Sequence, residues 1–119
     1  MNKYNARKCS LGDQVFDSQM ERARYKELCL MERAGAIKNL QRQVRYELIP
    51  AQYSKKYKTK KGQPKCMEKS VAYVADFVYW DKDLGKLVVE DVKGVRTEAY
   101  RIKRKLMLWV HGIEIKEIG

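Results

Sequence analysis

The chain has 119 residues, 45% of them hydrophobic and 34% charged, with 26 Lys and Arg against 15 Asp and Glu and a formal charge of +11. That length fits one domain, residues 1–119, with a core large enough to need neither disulfides nor a structural metal, and the charge favours polyanionic partners, nucleic acid ahead of an acidic membrane surface. No apolar run approaches a membrane span and Met1-Asn2-Lys3-Tyr4-Asn5 lacks the apolar segment of a signal peptide, so a cytoplasmic protein with no membrane partner is expected.

The first twelve residues are basic and polar, and predict an arm (1–12) or an edge strand. Ser18-Gln19-Met20-Glu21 has the S-x-x-E form of a capping box, so a helix should begin at Asp17 or Ser18. Met20, Ala23, Met31 and Ala34 recur at helical spacing, and Gly35 closes the helix. From Ile37 to Pro50, Val44, Tyr46 and Leu48 alternate with Gln43, Arg45 and Glu47, the pattern of a strand with one face toward a core.

Composition then changes. Lys55, Lys56, Lys58, Lys60, Lys61, Lys65 and Lys69 are interleaved with Tyr53, Tyr57, Gly62 and Pro64, which predicts a flexible basic loop over 51–69. A solvated linker would look similar, but tyrosines able to stack on bases tilt the reading toward nucleic acid. Two strands follow, near Glu68–Trp80 and Lys86–Lys93, joined by Asp81-Lys82-Asp83-Leu84-Gly85 as a tight hairpin. Thr97 to Val110 reads as a helix with Ala99, Ile102, Leu106 and Trp109 inward and Arg101, Arg104 and Lys105 on a cationic outer face. Ile113 to Ile118 alternates as a last strand. The expected architecture is α/β of the α+β kind, in the order αβββαβ, with a central mixed sheet flanked by helices.

Asp76 is the residue that this frame does not explain. It interrupts the apolar run Val71-Ala72-Tyr73-Val74-Ala75 and Phe77-Val78-Tyr79-Trp80, where an ionised carboxylate costs several kcal/mol, as an order of magnitude, unless something compensates it. In Val89-Glu90-Asp91-Val92-Lys93, period-two alternation puts Asp91 and Lys93 on one face and Glu90 on the other. Two acids and an amine on neighbouring strands suit phosphodiester hydrolysis. Mg²⁺ takes oxygen ligands in octahedral geometry and keeps several waters, so Asp76, Asp91, a glutamate and the Val92 carbonyl would suffice, and Lys93 could polarise a water or stabilise the phosphate.

Each of these residues also has a structural reading. Glu90-Asp91-Val92-Lys93 could be a solvated strand end, Asp76 could be hydrogen-bonded to backbone or to a core tyrosine, and Glu21 belongs to its capping box, with Glu27 a rival in the same helical arc. His111, the sole histidine, precedes Gly112 at a helix end, an ordinary place for both, so histidine-based nuclease chemistry lacks its parts. Cys9, Cys29 and Cys66 show no metal or disulfide spacing.

Three segments together resemble the PD-(D/E)XK nuclease-like superfamily, with its restriction-endonuclease-like core. They are Val15-Phe16-Asp17-Ser18 running into Glu21, Tyr73-Val74-Ala75-Asp76-Phe77, and Val89-Glu90-Asp91-Val92-Lys93-Gly94 followed by Thr97-Glu98-Ala99-Tyr100. More closely, the chain is similar to a family of small bacteriophage proteins placed in that superfamily, and the similarity covers nearly the whole chain. The resemblance implies Glu21, Asp76 and Asp91 as metal-binding carboxylates and Lys93 as the catalytic lysine, with Gln43 and Glu90 as supporting residues. Ala75 stands where the motif has proline. The expectation is therefore an Mg²⁺-dependent endodeoxyribonuclease, with Mn²⁺ able to substitute, acting in a bacterial host cytoplasm. It would be selective for DNA shape rather than sequence, with branched DNA in phage replication or recombination among the substrates and a homodimer if two strands are cut symmetrically. The alternative is a non-catalytic nucleic-acid-binding protein that keeps the fold. The lysines of 51–69 with Arg101, Arg104 and Lys105 are the expected phosphate contacts, and lysine is less suited than arginine to reading base edges.

Overall fold

The structure, a computed structural model, describes residues 9–11 and 14–119. Strand β1 (Cys9–Leu11) pairs antiparallel with β2 (Gln14–Phe16), and the rest of the expected 1–12 arm lies outside the described residues. Helix α1 (Gln19–Arg33) starts where the capping box places it, because the Ser18 hydroxyl accepts from the Glu21 N–H at 3.1 Å and satisfies a donor that the first turn leaves open. Gly35, at φ 85, carries the chain out of the helix.

Strand β3 (Ile37–Ile49) leads into β4 (Gln52–Lys58) and β5 (Pro64–Glu68), then β6 (Val71–Asp81) and β7 (Lys86–Val92). Helix α2 (Glu98–His111) then connects to β8 (Lys116–Ile118). The central sheet runs β3-β6-β7-β8, antiparallel through β7 and parallel between β7 and β8, with α2 as the crossover. The fold is α+β with a mixed sheet. Asp81 closes the β6–β7 hairpin by accepting from Leu84 N–H at 3.0 Å and Gly85 N–H at 2.8 Å.

Each face of the sheet carries one helix. Under α1, Phe16, Leu28, Ile37, Phe77, Tyr79, Val88 and Val92 form one cluster; under α2, Leu48, Tyr73, Ala75, Val78, Val89, Tyr100, Met107 and Ile115 form the other. Full burial of a side chain such as Leu28 or Phe77 contributes about 1.5–3 kcal/mol. The clusters expose an irregularity in β6. Tyr73 and Ala75 face α2, whereas Phe77 and Tyr79, of the same parity, face α1, so the alternation changes phase at Asp76. On β3 the register puts Gln43 opposite, between the pairs Arg42–Phe77 and Val44–Ala75, and Gln43 has φ 54, in the left-handed region.

Three expectations need correction. The segment 51–69 is an antiparallel ribbon, β4 with β5, rather than a loop. The inner face of α1 is Glu21, Arg24, Tyr25, Leu28 and Met31, while Met20, Ala23 and Ala34 are exposed. Two charged residues on the packing face shifted the apparent apolar phase. On α2, Tyr100 and Met107 are buried, whereas Ala99, Ile102 and Trp109 are exposed, Trp109 at 84%, because the helix lies against the sheet along its 100–103–107 line. Its end is as expected, with Gly112 at φ 67 as the cap and His111 Nε2 2.7 Å from the Glu47 carbonyl oxygen. Among the described residues, no helix is long and apolar enough to cross a membrane.

Candidate functional site

The β6–β7 ladder ends at the Phe77–Glu90 pair, and beyond it the strands part. Asp76 sits in that fork, 7% exposed, with its Oδ2 accepting from the Val92 N–H at 2.7 Å. Val92 therefore meets the site through its N–H. Asp91, 1% exposed, accepts at Oδ1 from the Tyr73 hydroxyl at 2.9 Å and has the Lys93 ammonium 3.8 Å away. Its Oδ2 is buried without a hydrogen-bond partner. Such an atom bears the desolvation cost of a buried carboxylate with nothing to offset it.

Glu21 reaches the same fork from α1. It is 4% exposed, and its Oε2 lies 3.2 Å from Arg42 Nη2 and 3.3 Å from Gln43 Nε2. Arg42 is itself placed by the Phe16 ring, 4.0 Å below its guanidinium, and by the Val15 carbonyl at 3.1 Å. The left-handed Gln43 thus turns its amide toward Glu21 at the point where β6 changes phase. Glu27, the rival to Glu21, has a side chain 64% exposed and pairs with Arg24 on the surface.

The electrostatics tie these groups together. Burial pushes the Asp76 carboxyl up to about 6; the Val92 N–H opposes that rise, the Glu21 and Asp91 carboxylates add to it, and the Lys93 ammonium lowers it. Burial likewise raises Glu21, against the pull of Arg42. Tyr73 is held far above its ordinary range by burial and then by Asp91, so its hydroxyl stays a donor. Beside Asp91 a groove of about 290 Å³ opens between β6 and the start of α2, with Tyr73, Lys93, Thr97, Tyr100 and Lys103 along it.

Glu90 points to the opposite face, as alternation requires. Fully buried, it receives Arg24 through two nitrogens at 2.9 and 2.7 Å and the Tyr79 hydroxyl as well. It ties α1 to β7 and is saturated.

The structure thus brings Asp76, Asp91, Lys93, Glu21, Gln43 and Val92 to one fork and leaves Glu90 beneath it. Lys55, Lys56, Lys58, Lys60, Lys61 and Lys65 lie exposed on the β4–β5 ribbon and its turn. Arg101 and Lys105 are exposed, but Arg104 is engaged, 2.9 Å from Glu117 and over the Tyr100 ring at 5.8 Å, because β8 brings Glu117 beside α2. Tyr73, Arg42 and Arg24 were not singled out from sequence. Of the two structural partners open to Asp76, backbone or a core tyrosine, the structure has backbone, the Val92 N–H, and it gives the tyrosine hydroxyl to Asp91; neither arginine carries a local signal.

An all-oxygen donor set suits a hard divalent cation, and the unpartnered Asp91 Oδ2 is an atom that such a cation would complete. On those observations the two strand acids fit a metal. Among the described residues, no group of three His, Cys, Asp or Glu side chains is arranged to hold one as the side chains lie, and Glu21 is the member turned aside, toward Arg42 and Gln43.

Residues 1–116 match the family described as "Protein of unknown function (DUF1064)". No curated protein and no solved structure matches the chain. A match over nearly the whole length places the sequence in that group, and the chain belongs to the DUF1064 family.

Proposed function

We propose that the protein is a divalent-metal-dependent endodeoxyribonuclease of the restriction-endonuclease-like kind. The observation that carries the reading is the fork itself, where two buried strand acids, one with an unpartnered oxygen, converge with a lysine under a chain of charge +11. The succession α1, β3, β6, β7, α2, β8 supports it too, since that is the αβββαβ order expected of such a core.

Asp76 and Asp91 would hold Mg²⁺ or Mn²⁺, joined by Glu21 once its carboxylate turns from Arg42, while Val92 contributes the N–H that holds Asp76. The metal supplies Lewis acidity, neutralising charge that grows on the phosphate and the leaving oxygen. The chain's own groups do the rest. Tyr73 donates to Asp91 Oδ1 and so fixes the carboxylate plane, leaving Oδ2 directed away from that bond. Val92 N–H does the same for Asp76. Lys93, its side chain 40% exposed, can reach a phosphate oxygen from its place beside Asp91, or relay a proton at Nζ to or from the attacking water. The exposed ribbon lysines with Arg101 and Lys105 offer phosphate contacts, and the point charge of lysine, less suited than the arginine fork to base edges, favours recognition by shape.

The test is a cleavage panel with Mg²⁺ over single-stranded, duplex, flapped and four-way DNA. The wild type should nick at least one substrate, and Asp76→Ala and Asp91→Ala should lose at least about 10²–10³-fold of that rate while still binding DNA. Wild-type, metal-dependent nicking by both variants would end the assignment. A second reading, a basic DNA-binding protein without catalysis, is favoured by one observation, the engagement of Glu21 with Arg42 and Gln43. It is separated by metal, since a pure binder gains no affinity and no stability from Mg²⁺.

A further inference from the structure

The β4–β5 ribbon is unlike the rest of the fold. All of β5 and all of β4 except Ser54 are exposed, and the ribbon has no extensive packing against either helix. A chain segment that buries so little is ordered by its own hydrogen bonds. The Ser54 hydroxyl accepts from the N–H groups of Lys56 and Tyr57 at 3.0 and 2.7 Å, and the tip is closed by Thr59 N–H to Gln63 O at 2.7 Å and Gly62 N–H to Thr59 O at 2.9 Å. Gly62, at φ 82, permits that turn. The ribbon is a formed arm, on a molecule with principal extents of 56 × 40 × 27 Å.

Its position and charge are both specific. It leaves β3 after Ile49 and returns into β6 at Val71, at the end of the sheet where β6 parts from β7, the open side of the fork. From Val71 to Asp76 is about 16 Å at about 3.3 Å per residue, and β4 extends roughly 20 Å further. Lysines occupy both strands and the tip, Lys55, Lys56 and Lys58 on β4, Lys60 and Lys61 in the turn and Lys65 on β5, with no acid between residues 52 and 67.

We propose that this ribbon enters the major groove of duplex DNA and grips the duplex on one side of the Asp76–Asp91 fork. The inference rests on the DNA reading above and narrows its substrate to DNA that carries duplex on that side. A two-stranded ribbon is one of the two protein elements that the B-form major groove, about 12 Å wide, admits. Cations on both strands and at the tip match a channel with a phosphate rail on each wall. A single strand offers one rail and asks for aromatic platforms; Tyr53 and Tyr57 are exposed, but Lys56 already lies 5.4 Å from the Tyr57 ring. At about 3.4 Å per base pair the ribbon root falls roughly 5 bp from the scissile phosphate.

The experiment compares wild type with the quadruple variant Lys55→Gln, Lys56→Gln, Lys58→Gln, Lys65→Gln. Affinity for a 24-bp duplex (about two turns) and for its single strands is measured in chelating buffer from about 50 to 200 mM salt. These side chains are all exposed, and thermal melts should coincide. The slope of log affinity against log salt on duplex should fall by about 0.9 for each lysine that meets a phosphate, so by about 3–4 in total, and on single strands by less than about 1, well short of the roughly 0.7 per lysine that full contact would give there. An unchanged duplex slope, or a single-strand fall approaching about 2.8, overturns the proposal. Binding in chelator needs no catalysis, so the two readings fail separately. Metal-dependent cleavage with no ribbon effect removes the ribbon alone, a ribbon effect without cleavage removes the nuclease alone, and absence of DNA binding removes both.

Discussion

Glu90 and Asp91 are adjacent on one strand, equally buried, and opposite in circumstance. Glu90 faces α1 and is saturated by Arg24 and Tyr79, whereas Asp91 faces α2 with one hydroxyl donor, a lysine at 3.8 Å and an oxygen that nothing meets. A buried acid is costly in either place. In the first it is compensated and joins a helix to a sheet; in the second the compensation is incomplete and one oxygen is left for a partner, which the proposed reading assigns to a divalent cation. The two consecutive residues thus differ in whether their hydrogen bonding is complete.

The sharpest way to break that contrast is to neutralise each acid in turn. Asp91→Asn should remove at least about 10²-fold of the cleavage rate and move the melting temperature little, since Asn keeps an acceptor for Tyr73 and a half-exposed pair with Lys93 contributes little. Arg24→Ala should do the reverse. It strands Glu90 as an unpaired buried charge, at a cost of about 3–5 kcal/mol, with activity per folded molecule preserved. Denaturant midpoints and initial rates on the same preparations would check both, and a large loss of stability in Asp91→Asn with none in Arg24→Ala would invert the account.

A smaller effect concerns Asp76. Its carboxyl is raised from 3.8 to about 6, chiefly by burial. A raised carboxyl favours the folded state in its protonated form, so the associated stability is complete below about pH 4 and is lost as pH rises through about 6, amounting to about 3 kcal/mol. Asp76→Asn should therefore be more stable than wild type at pH 7 in chelator, by up to that amount, and the gap should close toward pH 4. Thermal melts across that range measure it; an Asp76→Asn protein less stable at pH 7 would show the carboxylate to be a structural asset.

Much of this was legible in the sequence where local rules act alone. The Ser18 cap, the alternation of Val44, Tyr46 and Leu48, the Asp81–Gly85 turn and the Gly112 cap each follow from a few neighbouring residues, and the structure has all four. Asp76 was conspicuous because an acid interrupting an apolar strand has few explanations, and Asp91 and Lys93 follow from period-two geometry. What escaped depends on partners far along the chain. Glu21 and Arg24 face inward because Arg42 and Glu90 receive them, so the inner face of α1 carries charge and its apolar pattern points elsewhere. Ile102 and Trp109 look like core residues and are exposed, since α2 meets the sheet along Tyr100 and Met107. The ribbon has lysines where a half-buried strand would have apolar residues, because nearly all its described side chains are exposed and it is held by backbone pairing. The phase change at Asp76 required Gln43 on another strand, and no single-strand pattern records it.

If the incompletely compensated Asp91 and its neighbour Asp76 form a divalent-cation site, as proposed, calorimetric titration of Mn²⁺ into metal-free protein will reveal it. Saturable binding is expected for the wild type, lost in Asp91→Asn and retained in Lys93→Ala. Binding of the same affinity and stoichiometry in Asp91→Asn, or none in the wild type, would contradict it.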